Sequence, residues 1–357
     1  MAAIHIHMGR VLRNIEKLDK ILRGETVSWT LAMKVLGSHK EAIRRLLESD
    51  LVRGLHSVGD SHLSGLEAVK SIAPDVTTMY IKPPALRYIK SVVRVADISL
   101  NSSFTTIEAL NEEAARQGKV HKVIVMIEMG ELREGILRDN IVEFYQHIFE
   151  LPNINVIGLG TNLGCMYGLE PTYDKLIQLS LYKQLLEAKF NHKMELASGG
   201  SSITLPMLTQ RKLPTGVNHF RIGEAAFLGT SPLDNKQFRD LSVNAFDFKA
   251  NILELYKKES QPDGIVGEAA VGHTAVTDVE GESYKAILDF GILDVDPAHV
   301  QPKPRNVRFF GNSSDMTVFD LGKNRRHFKT GDVITFRPDY MAVAKLMNSK
   351  FIEKQFD

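Results

Sequence analysis

A lysine at the end of an apolar run is the first residue that could do chemistry. Lys34 directly follows the run Trp29–Met33. Among these apolar neighbours we expect Lys34 to be partly buried. A lysine amine that loses hydration has a lowered pKa, and the neutral amine can form a Schiff base with a carbonyl compound. Most lysines at strand ends simply extend into solvent, so a role for Lys34 depends on the residues that accompany it.

Two glycine-containing segments have the composition of phosphate-binding turns. Residues 197–202 read Ala-Ser-Gly-Gly-Ser-Ser and predict a loop, and residues 220–224 read Phe-Arg-Ile-Gly-Glu. Either segment alone is weak evidence, because ordinary turns have the same composition. Glycines let backbone N–H groups approach a phosphate, and serine hydroxyls add hydrogen bonds. A lysine facing both segments predicts pyridoxal 5′-phosphate, whose aldehyde binds a lysine and whose phosphate needs such a cradle.

These residues follow short apolar runs that repeat along the first two-thirds of the chain. The runs start about 27 residues apart on average, which suits one strand, one helix and two loops. Strands that alternate with helices predict a parallel sheet, and eight units predict a closed (β/α)8 TIM-type barrel, an α/β fold, rather than an open doubly wound sheet. The runs are Val27–Met33, Gly54–Val58, Thr77–Ile81, Ala96–Leu100, Lys122–Ile127, Asn155–Leu159, Met194–Ala197 and His219–Ile222.

Helical patterns fill the intervals between the runs. Ser38–Glu48 places its apolar residues on one stripe, Thr105–Gln117 follows Ser103 as a predicted N-cap, and Thr172–Phe190 carries regularly spaced leucines. Because active sites of such barrels lie at the carboxyl ends of the strands, Lys34 and the two glycine segments are expected at one mouth.

The pattern changes near residue 232, where β-like runs replace the alternation. These runs are Ala245–Leu255, Tyr284–Val295, Val307–Leu321 and Asp332–Arg337, with turns at Asp278–Gly281 and Pro297–Pro304 and a helix at Asp339–Met347. We therefore assign residues 8–232 to the barrel and 233–357 to a mostly-β C-terminal domain, with residues 1–7 as a candidate extra strand.

The composition excludes several functional classes. Lys plus Arg number 44 and Asp plus Glu 43, so no bulk positive charge favours nucleic acid or an anionic membrane. A single cysteine excludes an internal disulfide and suits a reducing compartment. No apolar run is long enough to span a bilayer or to form a signal peptide. We expect a cytoplasmic protein with no membrane or nucleic-acid partner.

Several motifs together resemble the alanine-racemase-like, fold-type III family of pyridoxal-phosphate enzymes, and within it the ornithine racemase group. The resemblance runs from the first strand to the C-terminus. It is most specific at Asp97–Ser102, Gly130–Gly135, Gly158–Cys165, Ser198–Ser202 and Arg221–Glu224. It implies a barrel followed by a β-domain, and a homodimer in which the C-terminal domain of one subunit completes the active site of the other.

The resemblance also implies roles for individual residues. Lys34 matches the lysine that binds the cofactor and acts as base on one face of the substrate Cα. Arg133 matches an arginine near the cofactor O3′ and the substrate carboxylate, and Asn162 falls where alanine racemases have a histidine close to the ring. The residues that would hold the cofactor phosphate or line its cradle are Ser198, Gly200, Ser201, Ser202, Gly223, Glu224 and Tyr340.

Arg221 distinguishes between reactions of the same cofactor. It matches the arginine that faces the pyridine nitrogen in alanine racemases. A fixed guanidinium disfavours protonation of that nitrogen, because two adjacent positive charges repel. The ring becomes a weaker electron sink, which favours reversible α-proton transfer over decarboxylation.

The second base of a racemase is not evident from the sequence. Alanine racemases supply a tyrosine from the partner's C-terminal domain, but the corresponding stretch here, residues 287–294, contains none. Candidate substitutes are Cys165, Tyr167, Asp294 and Asp315.

His5 and His7 alternate on a predicted strand, but no third ligand has the spacing of a metal site, so we predict no metal.

These observations favour a pyridoxal-phosphate-dependent amino-acid racemase. The resemblance points to ornithine as substrate, with lysine or alanine as alternatives. A cofactor-binding protein without turnover is a second interpretation, favoured by the missing tyrosine and opposed by the C-terminal β-domain. A decarboxylase is a third, and Arg221 disfavours it.

Overall fold

The computed structural model of the protein describes residues 1–265, 267, 271–274 and 281–357. These residues divide into a barrel unit and a C-terminal unit. The barrel unit comprises Val11–Lys34 and Ser38–Val243. The C-terminal unit comprises Met1–Arg10, Val35–Gly37 and Asn244–Asp357.

Strands and helices alternate through the barrel unit, and strands dominate the C-terminal unit. The strands are β1 (Ala3–Ile6), β2 (Ser28–Ala32), β3 (Ser57–Asp60), β4 (Thr78–Tyr80), β5 (Ile98–Asn101), β6 (His121–Met126), β7 (Ile154–Gly160), β8 (Leu196–Ser201), β9 (His219–Ile222), β10 (Thr230–Ser231), β11 (Lys236–Gln237), β12 (Phe246–Glu259), β13 (Glu282–Leu288), β14 (Val300–Pro302), β15 (Arg308–Asn312), β16 (Thr317–Asp320), β17 (Val333–Pro338) and β18 (Glu353–Phe356). The helices are α1 (Met8–Gly24), α2 (Lys40–Leu47), α3 (Asp50–Arg53), α4 (Leu63–Ile72), α5 (Ile89–Val95), α6 (Phe104–Arg116), α7 (Ile141–Phe149), α8 (Tyr173–Phe190), α9 (Leu205–Thr209), α10 (Glu224–Leu228) and α11 (Tyr340–Asn348).

The predicted eight-stranded parallel barrel is confirmed. Strands β2 to β9 close in chain order, with β9 pairing back onto β2. Each of the eight predicted runs overlaps a barrel strand. The interior is a packed core, not a pore: Met79, Leu100, Ile124 and Met126 are at most 1% exposed.

Two barrel strands extend at least two residues further toward their carboxyl ends than predicted. β3 begins at Ser57 and ends at Asp60, and β8 continues through Ser201. The predicted Gly/Ser loop at residues 197–202 is therefore mostly strand, which is a correction. β8 pairs with β9 through Ser198↔His219 and Gly200↔Phe220, with an irregularity between them. Gly200 fits there because a Cβ would lie 2.1 Å from the Phe220 ring.

The predicted helices form with boundaries within two residues of those expected. α2 buries Ala42, Ile43, Leu46 and Leu47 on one stripe. The Thr172 hydroxyl caps α8 by accepting the N–H of Lys175. Ser103 occupies the N-cap position of α6, but its side chain makes no capping hydrogen bond.

The C-terminal unit contains the predicted mostly-β architecture. Its main sheet has the order β14-β17-β12-β13-β16-β15, and β1 pairs with β12 and β18. A cluster of buried phenylalanines stabilises it, with the Phe248 and Phe290 ring centroids 5.0 Å apart. The predicted run Val307–Leu321 is two strands, because the chain reverses where Ser313 N–H donates to Met316 O. The predicted turn Asp278–Gly281 lies, except for its last residue, outside the described residues.

Candidate active site

Lys34 lies at the carboxyl-end mouth of the barrel, two residues beyond the end of β2. It begins a 3-10 turn, Lys34–Leu36. It lines a cavity of about 430 Å3 together with Ser61, Ile81, Lys82, Pro83, Arg133 and Glu134. The side chain is exposed, whereas we expected partial burial. The reason is that Lys34 lies past the last buried residue of the run, Met33, which is fully buried.

The two glycine segments meet at neighbouring strand ends. Ser201 ends β8 and caps the following 3-10 turn, where its N–H donates to Thr204 Oγ1 over 3.2 Å. Gly223 is the N-cap residue of α10, and Glu224 is its first residue. The Ser202 hydroxyl oxygen accepts the N–H of Ala225 over 3.1 Å, which ties the two segments together. Two helical N-termini therefore begin side by side at this mouth.

Arg221 is buried in the barrel mouth and held by four acceptors. Its Nη1 donates to the carbonyl and hydroxyl oxygens of Ser198, and its Nη2 donates to Thr161 O at 2.8 Å and Asn162 Oδ1 at 2.7 Å. Within the described part of the chain, its Nε–H meets no acceptor. Burial lowers the pKa of Arg221 to about 10, so the guanidinium keeps its charge at neutral pH.

Arg133 is placed by a carboxylate that sequence reasoning did not single out. Its guanidinium donates to both oxygens of Glu134 and to Cys165 Sγ. The Glu134 carboxylate also accepts from the side-chain amide of Asn162, which in turn accepts from Arg221. The ion pair with Glu134 raises the pKa of Arg133. The structure thus brings Arg133, Asn162, Cys165 and Arg221 into one hydrogen-bonded group.

The charge balance of this group is set by Glu134. Burial alone would raise the pKa of its carboxyl, but the hydrogen bond from Arg133 and the charges of Arg133 and Arg221 outweigh burial and lower it. Glu134 is therefore a carboxylate between two guanidinium groups. The only sequence feature that could have indicated Glu134 as a site residue is its position beside Arg133 in the segment Gly130–Gly135. The amino-acid sequence alone does not show that its side chain is buried.

A second unpredicted carboxylate organises the loop that carries Cys165. Glu131 is 2% exposed and accepts the N–H groups of Gly164, Cys165, Tyr167 and Leu169 at 2.7–3.3 Å. Burial opposes its ionisation, yet these four hydrogen bonds outweigh burial and lower the pKa of Glu131. The loop after β7 is fixed by one side chain from the loop after β6.

Three of the seven buried side-chain polar atoms that lack a hydrogen-bond partner among the described residues lie at the carboxyl ends of barrel strands. Asp60 Oδ2, Asn101 Oδ1 and Thr161 Oγ1 are buried and make no hydrogen bond with the described residues. Asp60 and Asn101 end β3 and β5, and Thr161 follows β7. Burial raises the pKa of Asp60. Buried polar atoms normally have partners, so this mouth has spare hydrogen-bonding capacity for a polar ligand.

Two predicted site residues belong to the C-terminal unit. Tyr340 is the first residue of α11, after the N-cap Asp339. Asp315 is exposed in the turn between β15 and β16 and accepts from the Ser314 hydroxyl at 2.9 Å. That turn pairs with the stretch that lacks the tyrosine, since Ile292 N–H donates to Ser313 O and Leu293 N–H to Ser314 O.

Three metal-type side chains meet outside the barrel unit. The ligand atoms of His5, His7 and Asp357 lie within 4.8 Å of one another. His7 Nδ1 is already 2.8 Å from Asp357 Oδ2, and the Lys249 ammonium is 3.3 Å from His5 Nδ1. The ammonium would repel a cation there, so the absence of a metal stays our prediction.

No helix among the described residues is long and apolar enough to cross a lipid bilayer.

Comparison with known proteins identifies the family. The chain is 33% identical to ornithine racemase from Acetoanaerobium sticklandii over 312 residues, which cover 86% of this chain and 88% of that protein. It is 28% identical to lysine racemase from Thermotoga maritima over 351 residues, 98% of each chain.

Solved structures of the same fold are also similar. Alanine racemase from Clostridium difficile 630 superposes with a TM-score of 0.76 at 15% identity, covering 100% of this chain and 95% of that one. Alanine racemase from Bartonella henselae with covalently bound pyridoxal phosphate gives 0.72 at 14% identity, covering 100% and 99%. The sequence profile of the alanine racemase N-terminal domain matches residues 6–232. The chain belongs to the alanine racemase N-terminal domain family.

Proposed function

We propose that this protein is a pyridoxal-phosphate-dependent amino-acid racemase. The observation that carries the proposal is Arg221: a buried, charged guanidinium whose direct hydrogen-bond acceptors are carbonyl, hydroxyl and amide oxygens, with one N–H left over. No carboxylate among the described residues contacts it directly. A cofactor ring nitrogen placed against that N–H would stay unprotonated, which suits α-proton transfer and disfavours decarboxylation.

The donor set of the mouth fits pyridoxal phosphate. Lys34 offers an amine at the strand ends, and the linked N-termini after β8 and β9 offer backbone N–H groups and the hydroxyls of Ser201 and Ser202 for a phosphate. Asn101 Oδ1 and Thr161 Oγ1 are buried and have no hydrogen-bond partner among the described residues, so they could bind polar atoms of the cofactor. The bound cofactor would supply electron withdrawal that acidifies the α-proton of an attached amino acid.

This chain's own groups would then bind the substrate and move its proton. Arg133, fixed by Glu134, would hold the substrate carboxylate beside the Lys34 amine. Lys34 would take or return the α-proton on one face of the Cα. Arg221 and Asn162 would keep the cofactor ring in place. Tyr340 of α11 would contact the phosphate.

Cys165 is our proposal for the base on the other face. Its Sγ accepts from Arg133, so the thiol lies next to the group assigned to the substrate carboxylate. Asp315 is the alternative, because its turn pairs with the stretch where the tyrosine of alanine racemases would fall. In that case the carboxylate of a partner subunit would complete the site.

We propose a homodimer in which the C-terminal unit of one subunit covers the barrel mouth of the other. Leu132, which precedes Arg133, and Tyr167, two residues after Cys165, are 64% and 68% exposed, and Leu293 in the C-terminal unit is 74% exposed. Large exposed apolar side chains around a polar site are typical of an interface.

We place the protein in the cytoplasm. The exposed thiol of Cys165, which the proposed mechanism requires, would stay reduced there.

Ornithine is our first choice of substrate, with lysine and alanine next, from the relatives named above. The test is racemisation of a panel of L-amino acids by the cofactor-loaded protein, together with borohydride reduction and mapping of the labelled peptide. We expect borohydride to attach the cofactor to Lys34 and the labelled peptide to be missing in Lys34→Ala. We also expect the D-amino acid to form from a dibasic L-amino acid. A reduced adduct that persists in Lys34→Ala would overturn the assignment, and carbon dioxide release would favour a decarboxylase.

A further inference from the structure

A chain of buried hydrogen bonds crosses the barrel interior below Arg221. Ser198 Oγ is 2.7 Å from His219 Nδ1, His219 Nε2 is 3.0 Å from Thr30 Oγ1, and Thr30 Oγ1 is 2.7 Å from Ser57 Oγ. Ser57 Oγ is 3.3 Å from Nδ1 of His56. The four inner residues, Ser198, His219, Thr30 and Ser57, are at most 2% exposed. The chain follows the adjacent strands β8, β9, β2 and β3.

The direction of each bond as far as Thr30 follows from the first member. Arg221 has only donors, so the Ser198 hydroxyl oxygen must accept from it. The hydroxyl proton of Ser198 then has one acceptor among the described residues, Nδ1 of His219. Full burial lowers the pKa of His219 far below its usual value, so the ring is neutral and carries one N–H. That N–H is on Nε2 and donates to Thr30.

The remaining links continue in the same direction. Thr30, having accepted at Oγ1, has two acceptors for its own proton, Ser57 Oγ at 2.7 Å and Met79 Sδ at 3.7 Å. The shorter bond to an oxygen acceptor favours Ser57, and the Ser57 hydroxyl then donates to His56. His56 lines a second cavity of about 400 Å3 at the amino ends of the strands, near Ser28 and Trp29. The reverse tautomer of His219 would put two donors, Arg221 and Nδ1–H, on the Ser198 oxygen and leave the Ser198 proton without an acceptor in the described chain. A buried unpaired donor of that kind is costly.

We infer that this one-directional chain positions Arg221, and that His219 and Thr30 are positioning residues for it. The chain fixes the Ser198 hydroxyl so that its lone pair faces the guanidinium. The inference rests on the proposed role of Arg221 at the cofactor ring, but its first test needs neither cofactor nor substrate.

The test removes one link without touching Arg221. Thr30→Val keeps the shape of the side chain and deletes the acceptor of His219, whereas Thr30→Ser keeps the hydroxyl and is the matched control. Protein labelled with 15N-histidine shows by NMR which ring nitrogen of His219 carries hydrogen, and His219→Gln identifies the signal. We expect the Nε2–H form in the unchanged protein and in Thr30→Ser. In Thr30→Val each tautomer leaves one group unpaired, so we expect a mixture of the two forms.

Kinetics then test the link to Arg221. In cofactor-loaded protein, Thr30→Val should lower kcat roughly three- to tenfold with little change in KM, because Arg221 is assigned to the cofactor and not to the substrate. Thr30→Ser should restore kcat. If Thr30→Val does not fold, Ser57→Ala interrupts the next link and should also perturb the Thr30 and His219 bonds. An Nδ1–H tautomer in the unchanged protein would overturn the chain, and an unchanged kcat in Thr30→Val would overturn its positioning role. Failure of racemisation with the expected tautomers would instead count against the proposed function.

Discussion

The carboxylate of Glu131 accepts the backbone N–H of Cys165 over 2.9 Å, across 34 positions of the chain. The same carboxylate accepts three further N–H groups of that loop, from Gly164, Tyr167 and Leu169. The role proposed for Cys165 requires its thiol to be held within a fraction of an ångström of its working position, and Glu131 is the group that fixes its backbone.

Glu131→Gln should therefore loosen the Cys165 loop. The amide oxygen can accept fewer of the four N–H groups, and its own NH2 would face donors. We expect a loss of about 1–3 kcal/mol in the free energy of unfolding, measured by urea denaturation, and a lower racemase rate. Glu112→Gln is the control, because Glu112 is 60% exposed and pairs only with Arg116 on α6 in the described chain. Equal stability of both variants would contradict the anchoring role.

Glu134→Gln should weaken the placement of Arg133 and change the acid stability of the protein. The Glu134 pKa is lower in the folded state than in the unfolded chain. Its contribution is therefore present above about pH 4.5 and lost as pH falls through the folded pKa. The difference in unfolding free energy between the unchanged protein and Glu134→Gln should be about 1–3 kcal/mol at pH 7 and shrink at pH 3. The exposed carboxylate of Glu67, paired with Arg94, gives the control Glu67→Gln. A difference independent of pH would contradict the account.

His121 should make the protein less stable in mild acid. The ring is 3% exposed, its Nε2 contacts Ser99 Oγ at 2.8 Å, and burial lowers its pKa to about 4. Below about pH 6.5 the His121 ring binds a proton in the unfolded chain but not in the folded protein. The free energy of unfolding therefore falls by up to roughly 1.4 kcal/mol for each pH unit of acidification. In His121→Gln, which keeps a hydrogen-bonding group near Ser99, the slope of unfolding free energy between pH 6 and 5 should be smaller. Identical slopes would show that His121 is not held neutral.

Gly200→Ala should damage the β8–β9 pairing. A Cβ there would lie 2.1–2.3 Å from three atoms of the Phe220 ring, which is fully buried and cannot move away freely. Overpacking of this kind costs about 1–3 kcal/mol or more, visible as a lower Tm. Gly24→Ala, where a Cβ meets nothing within 4 Å, should leave the Tm unchanged or raise it slightly. A similar Tm for both variants would contradict the close packing at Gly200.

The repeating pattern was enough to predict the barrel, because each apolar run must form a buried strand and each strand needs a covering helix. It could not define strand ends: the polar and glycine residues after Ala197 read as a loop, yet Gly200 lets β8 continue against Phe220. Glu131 and Glu134 were missed because a glutamate between glycines is ordinarily exposed. Their burial depends on contacts with Gly164–Leu169 and Asn162, which the fold alone brings near.

The central claim is that protons are exchanged on both faces of the substrate Cα. The most direct measurement follows deuterium incorporation at the Cα and the chirality of the amino acid in the same sample. Cofactor-loaded protein is incubated in heavy water with each enantiomer of ornithine, lysine and alanine. The proteins compared are the unchanged protein, Cys165→Ala and Asp315→Asn. We predict exchange with inversion by the unchanged protein and by Asp315→Asn. In Cys165→Ala we predict exchange with retention from one enantiomer, and inversion slowed by about 100-fold or more. No exchange with any amino acid would contradict the account, and normal inversion in Cys165→Ala with loss in Asp315→Asn would move the second base to the partner subunit.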